Sequence, residues 1–265
     1  MNQIPISYLN SNNGISILAF GDGPMVKITE SIAIDAIQSF IDDQKDKYIF
    51  MCLSYDLKNE IKSLESNSLD SLDFPKAILW VPETVVRFDS GKLNFVQGTE
   101  NEKTSDFIHH FLKKERDQNY PPFPYKLNPR TSKEDYIKHV IQLQEEIQQG
   151  NIYEVNYCQE FFSEQVILNP QQVFYELNTT SKTPFASFLK LNDLHIMCAS
   201  PERFIKKSGN KIISQPIKGT RKRGRDLDED NALIKELIES EKEISENVMI
   251  VDLVRNDLSI TASKA

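Results

Sequence analysis

Residues 185–217, FASFLKLNDLHIMCASPERFIKKSGNKIISQPI, decide the fold class of this chain. Segments rich in β-branched and aromatic residues are separated here by short polar turns, one at Asn192-Asp193 and one at Ser208-Gly209-Asn210. Such a pattern predicts two successive antiparallel hairpins, the first ending near Ala199 and the second spanning Phe204 to Ile217.

Helices are predicted on both sides of these hairpins. Thr131 and Glu134 have the spacing of a capping box, apolar residues follow at helical intervals, and Gly150 ends the pattern. Ile152 to Cys158 then alternates between apolar and polar residues, which predicts a half-buried strand. Two more helices are predicted at about 228–239 and 242–256. The predicted order along the chain is one helix, several successive strands and then two helices. This order is typical of an α+β fold with antiparallel sheet.

The first half of the chain predicts further strands and a boundary. Lys76 to Phe88 indicates a strand interrupted at Pro82, and Phe50 to Leu57 indicates a buried strand. The cluster Tyr120-Pro121-Pro122-Phe123-Pro124 cannot lie inside a helix or a central strand, so it predicts a connector. We therefore expect an N-terminal subdomain at 1–120 and a second domain at 121–265.

Composition excludes several classes of function. The 265 residues include 31 Lys and Arg against 39 Asp and Glu, a net charge of −8, which disfavours general binding of nucleic acid or of an anionic membrane. No apolar run is long enough to span a bilayer, and the N-terminus lacks the regions of a signal peptide. The three widely spaced cysteines Cys52, Cys158 and Cys198 argue against a disulfide framework. These features predict a cytoplasmic protein.

Four motifs follow one another along the second half of the chain. They are GNIYEVN at 150–156, SPERF at 200–204, PIKGTR at 216–221 and ENVMIVDLVRND at 246–257. In this order they resemble the chorismate-binding enzymes, which include anthranilate synthase component I, isochorismate and salicylate synthases, and aminodeoxychorismate synthase component I. The resemblance implies two stacked, mostly antiparallel sheets flanked by helices. Because such enzymes continue beyond the last motif, it also implies a C-terminally truncated form of that fold.

The segment 218–225, KGTRKRGR, concentrates five basic side chains in eight positions. It is either a solvated basic loop, a site for a small anion or, less plausibly in so acidic a chain, a nucleic-acid patch. Two neighbouring residues would suit an anion site. Gly219 permits close approach of the backbone to a ligand, and Thr220 offers a hydroxyl and an N–H as hydrogen-bond donors. Chorismate carries two carboxylates, so the resemblance implies that Gly219, Thr220 and Arg221 contact the substrate.

Lys218 and Glu202 are the candidate catalytic residues. Lys218 is either an ordinary surface lysine or an amine nucleophile, and nearby cations or burial would favour the neutral amine. Anthranilate synthases usually carry alanine at this position, so lysine resembles aminodeoxychorismate synthase, where it attacks the ring. Without the resemblance, Glu202 would be interpreted as one member of a salt bridge. By resemblance it is the general acid for the leaving hydroxyl, a role for which we expect a buried carboxyl.

Glu243 and Glu246 lie three residues apart on a predicted helix, so both carboxylates share one face. They form either an exposed acidic face or part of a Mg²⁺ site, since Mg²⁺ prefers oxygen ligands. The resemblance implies a Mg²⁺ site centred on Glu246.

The resemblance as a whole implies component I of aminodeoxychorismate synthase, which aminates chorismate at C4 on the route to p-aminobenzoate and folate. Ammonia would come from a separate glutamine amidotransferase subunit, because no Gly-x-Cys-x-Gly nucleophile motif occurs here. The alternatives are anthranilate synthase component I, another chorismate-utilising enzyme, or an inactive fragment of one.

Overall fold

The computed structural model describes residues 4–29, 33–65, 69–114 and 125–263, and its mixture of helices and antiparallel sheet confirms the α+β class. The strands are β1 (Ile6–Asn10), β2 (Ile15–Phe20), β3 (Met25–Ile28), β4 (Phe50–Leu53), β5 (Ala77–Trp80), β6 (Thr84–Asp89), β7 (Lys92–Gln97), β8 (Asn128–Pro129), β9 (Phe161–Phe162), β10 (Phe185–Leu191), β11 (Leu194–Ser200), β12 (Arg203–Ser208) and β13 (Lys211–Gln215). The helices are α1 (Ala33–Asp43), α2 (Leu57–Lys62), α3 (Glu102–Lys114), α4 (Lys133–Gln148), α5 (Pro170–Ser181), α6 (Leu227–Glu239) and α7 (Glu241–Ser259). None of the helices in the described ranges is long and apolar enough to cross a membrane.

The chain divides into two compact units. One unit comprises Met1–Phe107 together with Val173–Ala265, and the other comprises Ile108–Gln172. The predicted boundary between 1–120 and 121–265 falls within residues 115–124, which lie outside the described residues, so that division stays a prediction. Strands from both of its parts nevertheless pair within a single sheet.

That sheet has six strands in the order β11-β10-β1-β2-β6-β7, with every neighbouring pair antiparallel. β1 lies at its centre, where Ile6 is opposite Phe20 of β2 on one side and Lys190 of β10 on the other. The first strand of the chain therefore joins an N-terminal meander to the hairpin at 185–200.

A second sheet of three strands, in the order β3-β5-β4, packs on the first. Ile78 and Trp80 of β5 form a buried cluster with Ala19, Val85 and Leu191 of the six-stranded sheet. The opposite face of β5 packs on α1 and α2. The structure thus confirms the expected stacking of mostly antiparallel sheets flanked by helices.

Local turn signals predicted the hairpins correctly. β10 and β11 turn at Asn192, which has a φ of 55°, and β12 and β13 turn at Gly209, with a φ of 56°. Pro82 separates β5 from β6 as expected, and α6 and α7 occupy the two helical segments predicted after the hairpins.

Two local predictions in the smaller unit are wrong. Residues 152–158 form no strand, and Tyr157 instead packs on Tyr136 with 5.0 Å between ring centroids. The N-cap of α4 is Ser132, whose hydroxyl accepts a hydrogen bond from Asp135 N at 3.1 Å, and not the predicted Thr131. The cap moves by one residue because Ser132 and Asp135 offer the same three-residue spacing as Thr131 and Glu134.

The packing between the sheets predicts that Ile78→Ala destabilises the protein by about 2–5 kcal/mol, because it opens a cavity where the side chain is 1% exposed. Ile61→Ala, which makes the same change on α2 where the side chain is 58% exposed, should cost less than about 1 kcal/mol. Urea unfolding followed by circular dichroism measures both values. Equal losses for the two variants would contradict the assignment of Ile78 to the core.

Candidate active site

Glu202 lies on the link between β11 and β12. Ser200 Oγ accepts a hydrogen bond from Glu202 N at 3.3 Å and donates one to Glu202 O at 3.1 Å. Arg203 then enters β12, donating to Gln215 Oε1 at 2.7 Å. Glu202 itself is exposed, contrary to the expectation that it is buried, because it lies on the connection where the chain passes from one sheet to another.

The turn that follows β13 depends on a glycine. Gly219 has a φ of +75°, and a β-carbon at this position would lie 2.7 Å from Glu243 Oε2 and 3.2 Å from Leu237 Cδ1. The backbone at Gly219 therefore lies close to side chains of α6 and α7, and its positive φ favours glycine over residues that carry a β-carbon. Lys218, which precedes this contact, is half-buried.

Arg221 ties the turn to both helices. Its Nε donates to Glu236 Oε1 of α6 at 3.0 Å, and its Nη1 donates to Glu243 Oε1 of α7 at 3.2 Å. Nη1 also donates to the carbonyl of Thr220 at 2.9 Å. The hydrogen bonds to Glu236 and Glu243 raise the pKa of the Arg221 guanidinium, so the guanidinium stays positively charged.

The remaining arginines of the basic segment pair with the first turn of α6. Arg223 donates two hydrogen bonds to Asp230, from Nε to Oδ1 at 2.8 Å and from Nη2 to Oδ2 at 2.6 Å. Gly224 N donates to the same carboxylate at 2.8 Å, and Arg225 Nε donates to Glu229 Oε2 at 2.9 Å. The hydrogen bond from Arg223, reinforced by that from Gly224, lowers the pKa of Asp230 from 3.8 to about 2.

These ion pairs change the interpretation of the basic segment. Arg221, Lys222, Arg223 and Arg225 each lie within 4 Å of a carboxylate of α6 or α7. Their positive charge is partly offset locally, and these ion pairs connect the turn to the two helices. The same neutralisation weakens both the nucleic-acid reading and the expectation that these cations favour a neutral amine at Lys218.

Glu243 and Glu246 share one face of α7, as predicted, but their surroundings differ. The Glu243 side chain is only 12% exposed and is bound to Arg221, whereas the Glu246 side chain is 40% exposed. Lys242 Nζ lies 3.3 Å from Glu246 Oε1 and 3.9 Å from Glu243 Oε1.

The described residues contain no group of three or more His, Cys, Asp or Glu side chains arranged to hold a metal ion. Mg²⁺ is commonly bound through one or two carboxylates and completed by water and substrate oxygens. Glu246 fits that pattern by its donor chemistry and exposure, while Glu243 already serves Arg221.

The structure therefore brings together Gly219, Thr220, Arg221 and Glu243, with Glu246 one helical turn further along α7. Glu202 lies outside this set of contacts. The acidic partners of the basic segment were missed by sequence reasoning. A signal for them exists, because the basic run is followed at once by Asp226, the N-cap of α6, and by three acidic residues in the first turn of that helix.

The sequence profile of the chorismate binding enzyme family matches residues 14–265. The chain belongs to the family of chorismate binding enzymes. This match covers every strand and helix described above except β1, including the turn at Gly219 and helices α6 and α7, so the resemblance carried by the four motifs extends over nearly the whole chain.

Relatives within the family carry the names of different synthases. The chain is 35% identical over 209 residues to an anthranilate synthase component I-like protein of Synechocystis, covering 78% of this chain and 43% of that protein. It is 28% identical over 278 residues to aminodeoxychorismate synthase component 1 of Bacillus subtilis, covering 96% of this chain and 58% of that one. The chain thus spans about half the length of these relatives.

The fold agrees with a solved member of the family. Anthranilate synthase component I from Streptococcus pneumoniae superposes with a TM-score of 0.68 at 20% identity, over 96% of this chain and 60% of that one. At this identity the likeness establishes the fold of this chorismate binding enzyme, and the reaction has to be argued from the residues of the site.

The Arg223–Asp230 pair predicts a specific dependence of stability on pH. The pKa of Asp230 is lowered on folding. Its contribution to the free energy of unfolding is therefore complete above about pH 4 and is lost as the pH falls toward about 2. The difference in urea midpoint between the parent protein and Asp230→Asn should therefore shrink as the pH falls across this interval. Asp228→Asn, a change at an exposed position in the same helical turn, should show no such trend. A difference for Asp230→Asn that is constant with pH would contradict the ion pair.

Proposed function

We propose that this chorismate binding enzyme is component I of an aminodeoxychorismate synthase, which replaces the C4 hydroxyl of chorismate with an amino group. The observation that carries the proposal is Lys218 within the turn Pro216-Ile217-Lys218-Gly219-Thr220. Gly219 is packed on Glu243, so the backbone that carries the amine is anchored directly to α7. An anchored primary amine is suited to nucleophilic attack once it is deprotonated.

The proposed reaction proceeds in two displacements. The Lys218 amine forms a bond to C2 of the ring, both conjugated ring double bonds shift by one position, and the C4 hydroxyl leaves as water after accepting a proton from Glu202. Ammonia then bonds to C4, both double bonds shift back, and the Lys218 nitrogen leaves C2 as the free amine. Chorismate and ammonia are consumed, and aminodeoxychorismate and water are formed.

An exposed Glu202 suits a residue that must contact a bound substrate. The hydrogen bonds between Ser200 and the Glu202 backbone fix the link that carries this carboxyl. Substrate binding would remove water from the carboxyl and favour its protonated form, which the role of general acid requires.

We propose that Mg²⁺ binds at Glu246 and that Glu243 holds Arg221 and the turn in place. A bound Mg²⁺ would supply positive charge to neutralise and orient the ring carboxylate of the substrate. Glu246 provides an exposed oxygen donor for it, at the cost of the ion pair with Lys242.

We propose a separate glutamine amidotransferase as the partner that supplies ammonia. The name of the Bacillus subtilis relative, aminodeoxychorismate synthase component 1, supports the presence of a second component. Within the present sequence, none of the three cysteines lies in a Gly-x-Cys-x-Gly motif that would make a nucleophile for glutamine hydrolysis. In the intact gene product, ammonium salts should support amination on their own, whereas glutamine should support it only when the partner is added.

The relative from Synechocystis favours a second candidate, an anthranilate synthase-type reaction in which ammonia attacks C2 of chorismate. In that reaction a lysine nucleophile at C2 would occupy the position that ammonia has to reach. Chromatography of the products separates the two reactions, because one yields aminodeoxychorismate and the other yields anthranilate.

The proposed nucleophile predicts a covalent adduct. The intact enzyme, given chorismate and Mg²⁺ without ammonia, should gain the mass of chorismate less one water on Lys218. Lys218→Arg should abolish the adduct and lower amination by about two orders of magnitude or more, because a guanidinium stays protonated. Intact-protein mass spectrometry followed by peptide mapping tests both results.

Lys222→Arg is the matched control for this experiment. It makes the same substitution four residues along the same loop and keeps the charge that lies 3.4 Å from Glu229. This variant should retain both adduct and activity. An adduct on another residue, or full activity of Lys218→Arg, would remove Lys218 from the role of nucleophile.

The proposed metal ligand predicts that Glu246→Gln raises the Mg²⁺ concentration needed for half-maximal activity by about tenfold or more. Glu241→Gln, which makes the equivalent change at an exposed position of the same helix, should leave it unchanged. Glu243→Gln should instead lower the melting temperature, since Arg221 loses its charged partner on α7. An unaltered Mg²⁺ titration for Glu246→Gln would return this carboxylate to the role of a solvated surface group.

A further inference from the structure

Two cysteines lie on the inner faces of the stacked sheets. In β4, Cys52 is directly opposite Ile78 of β5, and Phe50 is opposite Trp80. Residues that are paired across antiparallel strands point to the same face of their sheet. Since Ile78 and Trp80 pack on the six-stranded sheet, Cys52 points toward that sheet as well.

Cys198 faces the opposite way from the other sheet. It lies in β11, where alternate residues share a face, so it is on the side of Leu194. Leu194 packs on the buried cluster that contains Ile78 and Trp80. Cys198 therefore points from the six-stranded sheet toward the three-stranded sheet.

Both cysteines also lie on edge strands. β4 is at one edge of the order β3-β5-β4, and β11 is at one edge of the six-stranded order. Burial, and then the charge of Cys198, raise the pKa of the Cys52 thiol. Both are free cysteines of intermediate exposure, whereas Cys158 is exposed and lies in the other unit.

We propose that Cys52 and Cys198 form an oxidisable pair, which a small-molecule disulfide such as oxidised glutathione converts into a disulfide bridge between the two sheets. A thiolate of the pair first attacks the small disulfide, forming a mixed disulfide and releasing one thiol. The second cysteine thiolate then attacks the protein-bound sulfur and releases the second thiol. The protein loses two hydrogen atoms, and the small disulfide is reduced to two thiols.

The bridge would act on the segment that carries Glu202. β11 ends at Ser200, whose hydroxyl holds the backbone of Glu202. At present β11 is hydrogen-bonded only to β10 within the described sheet. A covalent link from Cys198 to β4 would fix the free side of β11 and restrict movement of the chain that leads to Glu202.

The test uses a Cys158→Ser background, which removes the third thiol. This protein is incubated with oxidised glutathione, unfolded in iodoacetamide and weighed. We expect the protein mass to fall by about 2 Da and neither cysteine to be alkylated. Peptide mapping should detect a disulfide-linked pair of peptides, one containing Cys52 and the other Cys198. The melting temperature should rise by roughly 5–10 °C, because the bridge closes a long loop.

The single variants Cys52→Ser and Cys198→Ser in the same background are the controls. Each should carry one glutathione or one alkyl group and should show no rise in melting temperature. Addition of glutathione to both cysteines of the Cys158→Ser protein, alkylation of both, or a link between two copies of the chain would overturn the proposal. The mass loss and the linked peptides are measured on the Cys158→Ser protein alone, so this result does not depend on whether the Cys52→Ser and Cys198→Ser variants fold.

Discussion

The contact between β5 and the six-stranded sheet determines how the rest of the larger unit is arranged. Ile78 and Trp80 have almost no exposed surface, and each such side chain contributes roughly 1.5–3 kcal/mol by leaving water. On the other face of the same strand, Ala77 and Leu79 are buried against α1 and α2. β5 is therefore covered on both sides, which explains why its sequence, AILW, is a continuous apolar run without alternation.

That buried layer depends on strands from distant parts of the chain. β1 pairs with both β2 and β10, so the hairpin at 185–200 joins the rest of the six-stranded sheet through the N-terminal strand. The link that carries Glu202 begins where β11 ends, and its position is consequently set by residues nearly two hundred positions earlier. Pairing at such sequence separation costs considerable loop entropy, and the apolar contacts between the sheets must offset that cost.

The sequence predicted structural elements correctly where neighbouring residues in the chain determine them. Turn residues at Asn192 and at Gly209 are sufficient to end one strand and begin the next, and both hairpins were predicted from them. Alternation at 152–158 misled because a strand also needs a neighbour, and no local pattern shows whether one is available. The pairing of β1 with β10 could not be predicted for the same reason, and neither could the placement of Cys52 and Cys198 on the facing sides of the two stacked sheets.

The same distinction applies to the candidate site. Lys218, Gly219, Arg221 and Glu246 were selected from motifs, and Glu243 from its helical spacing to Glu246. Neither signal identifies Glu236, which shares Arg221 with Glu243. A cluster of cations in the sequence suggested a ligand, whereas the folded chain supplies carboxylates from α6 and α7. Charge density along a sequence is therefore a weak guide to charge presented at a surface, because residues 7–22 positions away can neutralise it.

This neutralisation gives Glu243 a role different from that of Glu246. Its carboxylate accepts a hydrogen bond from the guanidinium of Arg221 and occupies the space that a β-carbon at position 219 would need. Lys218 is the next residue in the chain, and Glu246 is one turn along the same helix. The proposed nucleophile and the proposed metal ligand are thus both positioned by α7. The nucleophile is linked to this helix through the carboxylate of Glu243, and the metal ligand belongs to it. A displacement of α7 would move both together, which preserves their relative positions better than attachment to separate elements would.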